Sequence, residues 1–263
     1  LLTTQPGEAQ VLASSNAAKY DLLVAVGGDG TNLEVANGIL ASNSPRTAMA
    51  VVPIGTGNDL AETLGVRTHI QAIRKLVNGK PGGIDVLRIQ CAKGGQPVVS
   101  HALVFAGVGI VGESLKRTTP TVKRLFGNRL AYPVGLLRAL WSWRSPEMRV
   151  TTTDRTVQDR FLLVCASNAE QAGGGLKIAP GARTDDGLLN LNLIKAVGKL
   201  QAIRLLLRVR RGEHIPHPGI QYFTASQVTV GATAPVLVAA DGEIIGETPA
   251  RIEVVQRGLK VWL

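Results

Sequence analysis

The chain has 263 residues, 45% of them apolar, which is enough for a sizeable core in one large domain or two smaller ones, and only 4% aromatic content leaves that core to Leu, Val, Ile and Ala. Cys91 and Cys165 lie far apart without a second cysteine at ligand spacing, which excludes a disulfide scaffold or zinc site and fits a reducing compartment. No run approaches the roughly eighteen apolar residues of a membrane span, the opening lacks the pattern of a signal peptide, and the net charge of +10 is concentrated late: 6 basic and 7 acidic side chains in residues 1–85, 23 and 12 in residues 86–263.

The opening reads as a strand-like piece followed by a helix from Glu8 to Lys19. Tyr20 to Val26 is a buried parallel strand ending at a glycine loop, 27–30, after which Thr31 or Asn32 can cap a helix whose Leu33, Ala36, Ile39 and Leu40 recur at helical spacing. Ala48 to Ile54 is a second strand, GTGND spans 55–59, and a helical turn runs to Leu64. Thr68 and Gln71 have capping-box spacing, and Ile70, Ile73, Leu76 and Val77 supply the apolar face of a helix that Gly79 ends. Strand, loop and helix in repeated order predict an α/β layer with a parallel sheet and ligand loops at the carboxyl ends of its strands. Two strands are few for such a layer and Leu1 begins abruptly, so an earlier strand and helix are expected to be missing from the sequence as written.

From Ile84 the pattern changes. IDVLRIQ, the turn CAKGGQP and VVSHALVFAGVG read as strand, turn and strand, and 147–154, 160–167, 188–194, 226–231, 235–240 and 251–263 are further strands, with helices near 129–144 and 198–211. The expected division is residues 1–83 as a nucleotide-binding α/β domain and 84–263 as a β-rich substrate domain built as an antiparallel sandwich or strongly bent sheet, with the last strand free to return to the first domain.

The two glycine loops carry the first chemical signal. VGGDGTN and PIGTGND each follow an apolar strand, precede a helix and hold an aspartate, Asp29 or Asp59. Neither matches the GxGxxG dinucleotide pattern or the GxxxxGK[ST] phosphate loop. A glycine turn at a helix start nevertheless lets backbone N–H groups approach a polyphosphate, and two such loops can surround the phosphates and metal of one nucleotide.

VGGDGTNLEVANGIL and PIGTGNDLA resemble the diacylglycerol kinase catalytic domain family, its bacterial lipid kinase branch, related to sphingosine kinases. The resemblance continues through Ile84–Asp85, Leu130–Ala131–Tyr132, SNAEQAGGGLKIAPGARTDDGLLNL at 167–191, GEHIPHP at 212–218 and DGE at 241–243. The family's usual opening strand and its asparagine-proline loop are not seen. The resemblance implies a two-domain lipid kinase fold with an N-terminal α/β domain of the phosphofructokinase and NAD kinase type and a C-terminal β-sandwich-like domain. It implies transfer of the γ-phosphoryl group of ATP, with Mg²⁺, to a lipid hydroxyl in the cleft between them, diacylglycerol or a related glycerolipid being the expected acceptor. Gly27, Gly28, Asp29, Gly30 and Thr31 would form the nucleotide loop and Gly55, Thr56, Gly57 and Asn58 its neighbourhood. Asp59 and Asp85 would belong to a magnesium-linked acidic network. Asp241 is the implied general base with Glu243 as partner, Asp29 competes for that role, and the motif does not decide between them. From spacing alone Asp241 is a turn residue before Gly242.

The Asp185–Asp186–Gly187 turn reads as hairpin chemistry or a cleft organiser, with Gly173–Gly175 for close backbone approach, and His214 and His217, separated by Pro216, read as loop packing. The interval 116–160 holds 10 Lys or Arg against 3 Asp or Glu, and within it Leu130, Val134, Leu137 and Trp141 recur at three- or four-residue steps. Such a segment either packs on the sheet or docks at an anionic membrane through Arg138 and Arg144. The expected partners are therefore a lipid substrate and an anionic membrane surface, with room for a homodimer and a cytoplasmic, peripherally membrane-associated location. Nucleic acid is not expected, since no aromatic RNA-binding, zinc-finger or basic-zipper pattern is present. A small-molecule kinase of the NAD kinase type and a noncatalytic lipid-binding protein are the alternatives.

Overall fold

The computed structural model describes residues 1–42, 44 and 46–263, apart from the side chains of Lys123, Phe126, Asn128, Arg129 and Leu130. The chain divides into two compact units, the first formed by residues 1–86, 184–187 and 255–263, the second by 87–183 and 188–254.

In the first unit, α1 (Glu8–Asn16) and a 3₁₀ turn at Ala17–Lys19 lead into β1 (Leu22–Gly27), α2 (Asp29–Ala41), β2 (Ala48–Pro53), α3 (Asp59–Thr63) and α4 (His69–Asn78). β1 and β2 pair in parallel from Leu22↔Ala48 to Gly27↔Pro53, and near the chain end Val261 pairs with Met49, also in parallel. Three details differ from the sequence reading. The first strand, expected to be buried, leaves Val24 43% and Val26 55% exposed, because only alternate residues of β1 face inward. The helix after the first glycine loop begins at Asp29 with no side-chain cap, so Thr31 and Asn32 lie inside its first turn. The expected apolar face of α4 is turned outward: Ile70, Ile73 and Val77 are 55%, 58% and 75% exposed, while Ala72 is buried. Hydrogen bonds set that rotation, because Lys75 Nζ donates to the Leu64 carbonyl at 2.6 Å and Trp262 Nε1 to the Lys75 carbonyl at 3.0 Å. The cap itself forms, with Thr68 Oγ1 accepting the Gln71 N–H at 3.2 Å.

β3 (Pro81–Lys93) runs from the first unit into the second and turns at Gly94–Gly95, both at positive φ, into β4 (Gln96–Ala102). The single strand expected over VVSHALVFAGVG is broken at Leu103–Val104, and β5 (Phe105–Gly109) follows. Next come α5 (Ile110–Arg117), which periodicity missed, α6 (Pro120–Ser142), kinked at Gly127, β6 (Glu147–Thr151), β7 (Thr156–Ser167), β8 (Leu189–Lys195) and α7 (Lys199–Arg211). The chain finishes with β9 (Ile220–Ala225), also missed, β10 (Gln227–Ala232), β11 (Leu237–Ala240) and β12 (Glu243–Trp262).

Antiparallel pairings in the second unit run β12–β10–β6–β7–β5–β11 and return to β12, so the bent sheet closes on itself, while β8 and β9 extend it from β7. Closure removes edges that would otherwise present unpaired backbone. Alternate residues point inward to a core that includes Leu87, Ile89, Met148, Phe161, Leu191, Val228 and Ile252, each fully buried or nearly so. Burying side chains of this size stabilises by about 1.5–3 kcal/mol each, and the strands' β-branched and leucine-rich composition supplies most of them, with Phe161 an aromatic member.

Candidate functional site

The first unit brings the two predicted glycine loops against each other. A Cβ at Gly55 would stand 2.4 Å from the Gly28 Cα, so the second loop leaves no room for a side chain at the crossing, and one at Gly28 would meet the Gly55 Cα at a tight 3.1 Å. The second loop is braced by Asn58, at φ 58, whose Oδ1 accepts the Gly55 N–H at 3.0 Å and whose Nδ2 donates to the Gly55 carbonyl at 2.8 Å. Asp29 links the loops from the other side, accepting the Leu60 N–H at 3.3 Å. A Cβ at Gly57 would lie 2.6 Å from Asp29 Oδ2 and 4.0 Å from Asp59 Oδ2, so both carboxylates face that glycine. Gly30, Gly55, Thr56 and Gly57 are exposed, and a Cβ at Gly30 would meet nothing within 4 Å. Beneath this surface the carboxamide of Asn32 is 1% exposed and neither of its polar atoms has a partner. Bare backbone at a helix start, open space over Gly30 and an orphaned buried amide fit a bound polyphosphate. Asn32 was read only as a cap; its burial on a helix is what the sequence did not signal.

Asp85 is engaged differently. It is fully buried, its Oδ2 accepts the Gly187 N–H at 2.6 Å and its Oδ1 the Arg257 N–H at 2.7 Å, and its own N–H donates to the Thr184 carbonyl at 2.6 Å. These bonds stitch residues 184–187 and 255–263 into the first unit. Among the described residues no three His, Cys, Asp or Glu side chains gather as metal ligands. The donors that fit Mg²⁺ are the pair Asp29 and Asp59, since that ion commonly uses one or two carboxylates and completes its shell with phosphate and water.

In the second unit, Asp241 and Gly242 form the two-residue turn between β11 and β12, at φ 44 and 88. The Asp241 side chain does more than turn the chain. Its oxygens accept the N–H groups of Leu103 at 2.6 Å, Val104 at 3.2 and 3.3 Å and Phe105 at 2.9 Å. Three consecutive amides converging on one carboxylate explain why β4 and β5 are separate strands. Asn168 braces the other side of that break, its Nδ2 donating to the Leu103 carbonyl at 2.9 Å and its N–H to the Val104 carbonyl at 2.8 Å. Sequence reasoning gave Asn168 no role. Glu243 is exposed at the start of β12.

Phe105 also lines an apolar pocket enclosed by α5, α6, α7, β7, β8 and the 172–178 segment. Leu136, Leu140, Leu163, Ile203 and Leu206 contribute to its wall, and among the described residues Tyr132 is the one lining residue with a polar side-chain group. Behind it, His214 is buried with Nε2 3.0 Å from Asn192 Nδ2 and 3.3 Å from the Ile178 carbonyl, and burial holds its pKa below the ordinary histidine value. His217 accepts the Gly219 N–H through Nδ1, so both histidines serve local packing. Burial pushes the Cys165 thiol up to about 12, which leaves it an inert core group.

Residues 1–89 match the family model described as diacylglycerol kinase catalytic domain, and residues 103–263 match the YegS C-terminal NAD kinase beta sandwich-like domain. The diacylglycerol kinase of Bacillus subtilis (strain 168) is 30% identical over 98% of this chain and 83% of its own length. The chain belongs to the diacylglycerol kinase catalytic domain family. The diacylglycerol kinase of Staphylococcus saprophyticus is 26% identical over 99% of this chain and 83% of its own. A crystal structure from Bacillus anthracis str. Sterne covers 99% of this chain and 84% of its own, with a TM-score of 0.80 and 26% identity. Yeast NADH kinase, with a TM-score of 0.55 over 93% of this chain and 61% of its own, is 11% identical and shares the fold alone. The fold is accordingly the two-domain α/β lipid kinase fold with a β-sandwich second domain.

Proposed function

We propose that this member of the family transfers the γ-phosphoryl group of ATP to the hydroxyl of diacylglycerol or a related glycerolipid. The observation that carries the lipid acceptor is the apolar pocket of the second unit, whose described lining offers acyl chains an apolar wall with one polar side-chain group, at Tyr132. Family membership supplies the reaction class, and the pocket supplies the kind of molecule that accepts the phosphate.

The first unit binds and orients the nucleotide. Backbone around Gly28, Gly30, Gly55 and Gly57 would hold the phosphates, and the positive end of α2 would favour their charge. Asp29 and Asp59 are the residues that would hold Mg²⁺, which offsets charge on the triphosphate when bound. Asp85 keeps its structural duty.

Asp241 is the proposed base. Asp29 already faces Gly57 and binds the Leu60 N–H, whereas Asp241 is hydrogen-bonded to Phe105, a wall residue of the lipid pocket. This link to the pocket wall supports Asp241 as the carboxylate that would take the hydroxyl proton. Phosphoryl transfer asks little covalent chemistry of the protein, so a carboxylate fixed by amides serves chiefly through its position. Glu243, two residues on and exposed, is the proposed relay of that proton to solvent.

The finer membrane reading rests on α6. Leu137, Arg138, Trp141 and Arg144 are exposed along its last turns and just beyond, Val134 is half-buried, and the side chain of Leu130 lies outside the described residues. No helix among the described residues is long and apolar enough to cross a membrane. Incubation with labelled ATP and diacylglycerol tests the whole reading through transfer of label to the lipid.

A further inference from the structure

β5 lies between β7 and β11, and both neighbours end beside its start: Phe105 pairs with Ser167, the last residue of β7, and Ala106 with Ala240, the last residue of β11. Register therefore sets the next residue on each side, Asn168 after β7 and Asp241 after β11, so that the two flank the 103–105 segment. Asn168 is fully buried.

The bonds of these two residues meet on the same peptide groups. In the peptide joining Leu103 to Val104, the carbonyl accepts from Asn168 Nδ2 at 2.9 Å and the N–H donates to Asp241 Oδ1 at 3.2 Å. In the next, joining Val104 to Phe105, the carbonyl accepts the Asn168 N–H at 2.8 Å and the Ala169 N–H at 3.3 Å, while the N–H donates to Asp241 Oδ1 at 2.9 Å. Each peptide plane is held at both ends, with its positive end turned to the carboxylate. A donor on the carbonyl polarises the amide and strengthens the bond made by its N–H, so each chain of two bonds acts as a unit. Satisfying carbonyls left open by the strand break explains why a buried asparagine is tolerated. That alone does not require both carbonyls to belong to the peptides that hold Asp241.

We propose that Asn168 is a positioning residue for the phosphoryl transfer: acting through the 103–104 and 104–105 peptides, it fixes the Asp241 carboxylate in the orientation that takes the lipid hydroxyl proton. The inference rests on the reading of Asp241 as the base. Tilting either peptide swings the carboxylate, and a displacement of about 1 Å at a reacting group can cost about 100-fold in rate.

The test is steady-state phosphorylation of diacylglycerol by the full chain, at a temperature where circular dichroism shows each variant folded. Asn168→Ala is expected to lower kcat about tenfold or more, with KM for ATP and for lipid within about twofold of the parent values. Asn168→Ser also withdraws Nδ2 but keeps a polar group in the buried site; it is expected to show the same split and serves where the alanine protein does not fold. Val228→Ala, a truncation in the sheet core, is the stability control, and it is expected to keep kcat at a comparable fall in melting temperature. In an Asp241→Asn background, Asn168→Ser is expected to lower kcat no further, because the group it acts through is already gone. Unchanged kcat in the Asn168 variants, while Asp241→Asn loses transfer, would overturn the proposal and leave the base reading standing. So would losses that multiply in the double variant, or a kcat loss that Val228→Ala reproduces at equal stability. Near-normal transfer by Asp241→Asn would instead remove the base reading and the proposal with it.

Discussion

Phe105 and Asp241 hold each other twice: the Phe105 N–H donates to Asp241 Oδ1 at 2.9 Å, and the Asp241 N–H donates to the Phe105 carbonyl at 3.2 Å. The same phenylalanine lines the apolar pocket, so the late DGE motif and the pocket wall are one mechanical unit. Asp241→Asn would point amide hydrogens at backbone N–H groups that now find oxygens. A loss of about 2 kcal/mol in denaturant unfolding is expected from hydrogen bonds to a charged group, together with a fall in lipid phosphorylation of at least about 100-fold. ATP affinity, measured by titration, is expected to stay unchanged because the glycine loops belong to the other unit. A variant with wild-type stability and near-normal turnover would remove Asp241 from both roles.

The nucleotide loops make a prediction that separates binding from folding. At Gly30, in the first turn of α2, an added methyl meets no protein atom within 4 Å. Gly30→Ala is therefore expected to keep or raise stability, by up to about 1 kcal/mol from helix propensity, while raising KM for ATP about tenfold because the methyl occupies space assigned to phosphate. Gly55→Ala, whose methyl would press on the Gly28 Cα, is expected to lose stability as well. A normal KM for ATP in the Gly30→Ala protein would contradict the phosphate assignment.

Filling the pocket should affect only the lipid. Leu206 is half-buried on the pocket wall, so Leu206→Trp has room to extend inward. Kinetics with a long-chain diacylglycerol are expected to show KM raised about tenfold, the loss of a few buried methylenes, with KM for ATP unaltered. An unchanged lipid KM would mean that acyl chains do not use this pocket.

Stability should fall on mild acidification. Burial holds His214 and His101 below the ordinary histidine value, with Arg208 and Arg88 respectively acting in the same direction. Each folded-state pKa lies under the unfolded value of about 6.5, so the unfolded chain binds more protons as pH drops. Their contribution is present above about pH 6.5, declines below it and is lost once pH has fallen through the folded pKa. Melting temperature measured from pH 7.5 to 5 should decrease, and His214→Gln should flatten that decrease; an identical slope in the variant would show that His214 carries none of it.

The repeating strand, glycine loop and helix were legible because each needs only local residues: Val24–Gly27 and Val51–Pro53 are apolar runs that end where glycine begins. The proximity of Gly28 to Gly55 was legible in kind, since both loops carry the same chemistry. The orientation of α4 was not, because Ile70, Ile73 and Val77 look like a buried face and only the long-range bonds of Lys75 and Trp262 turn them outward. The break at Leu103–Val104 was likewise hidden, as its cause, Asp241, is more than a hundred residues away. Asp85 and Asp241 were recognised by motif, but their bonds to Gly187, Arg257 and Leu103–Phe105 depend on tertiary structure that spacing does not encode. The pocket went unpredicted because its lining combines α5 and the inner faces of α6 and α7 with three strands and a loop.

The most direct measurement of the central claim is a single-turnover assay with γ-labelled ATP, Mg²⁺ and a panel of diacylglycerol, monoacylglycerol, phosphatidylglycerol, a sphingoid base and NAD. Label is expected to move to the hydroxyl of diacylglycerol or a close glycerolipid, with Asp241→Asn lowering the transfer at least about 100-fold. Label on NAD with none on any lipid, or lipid binding without any transfer, would contradict it.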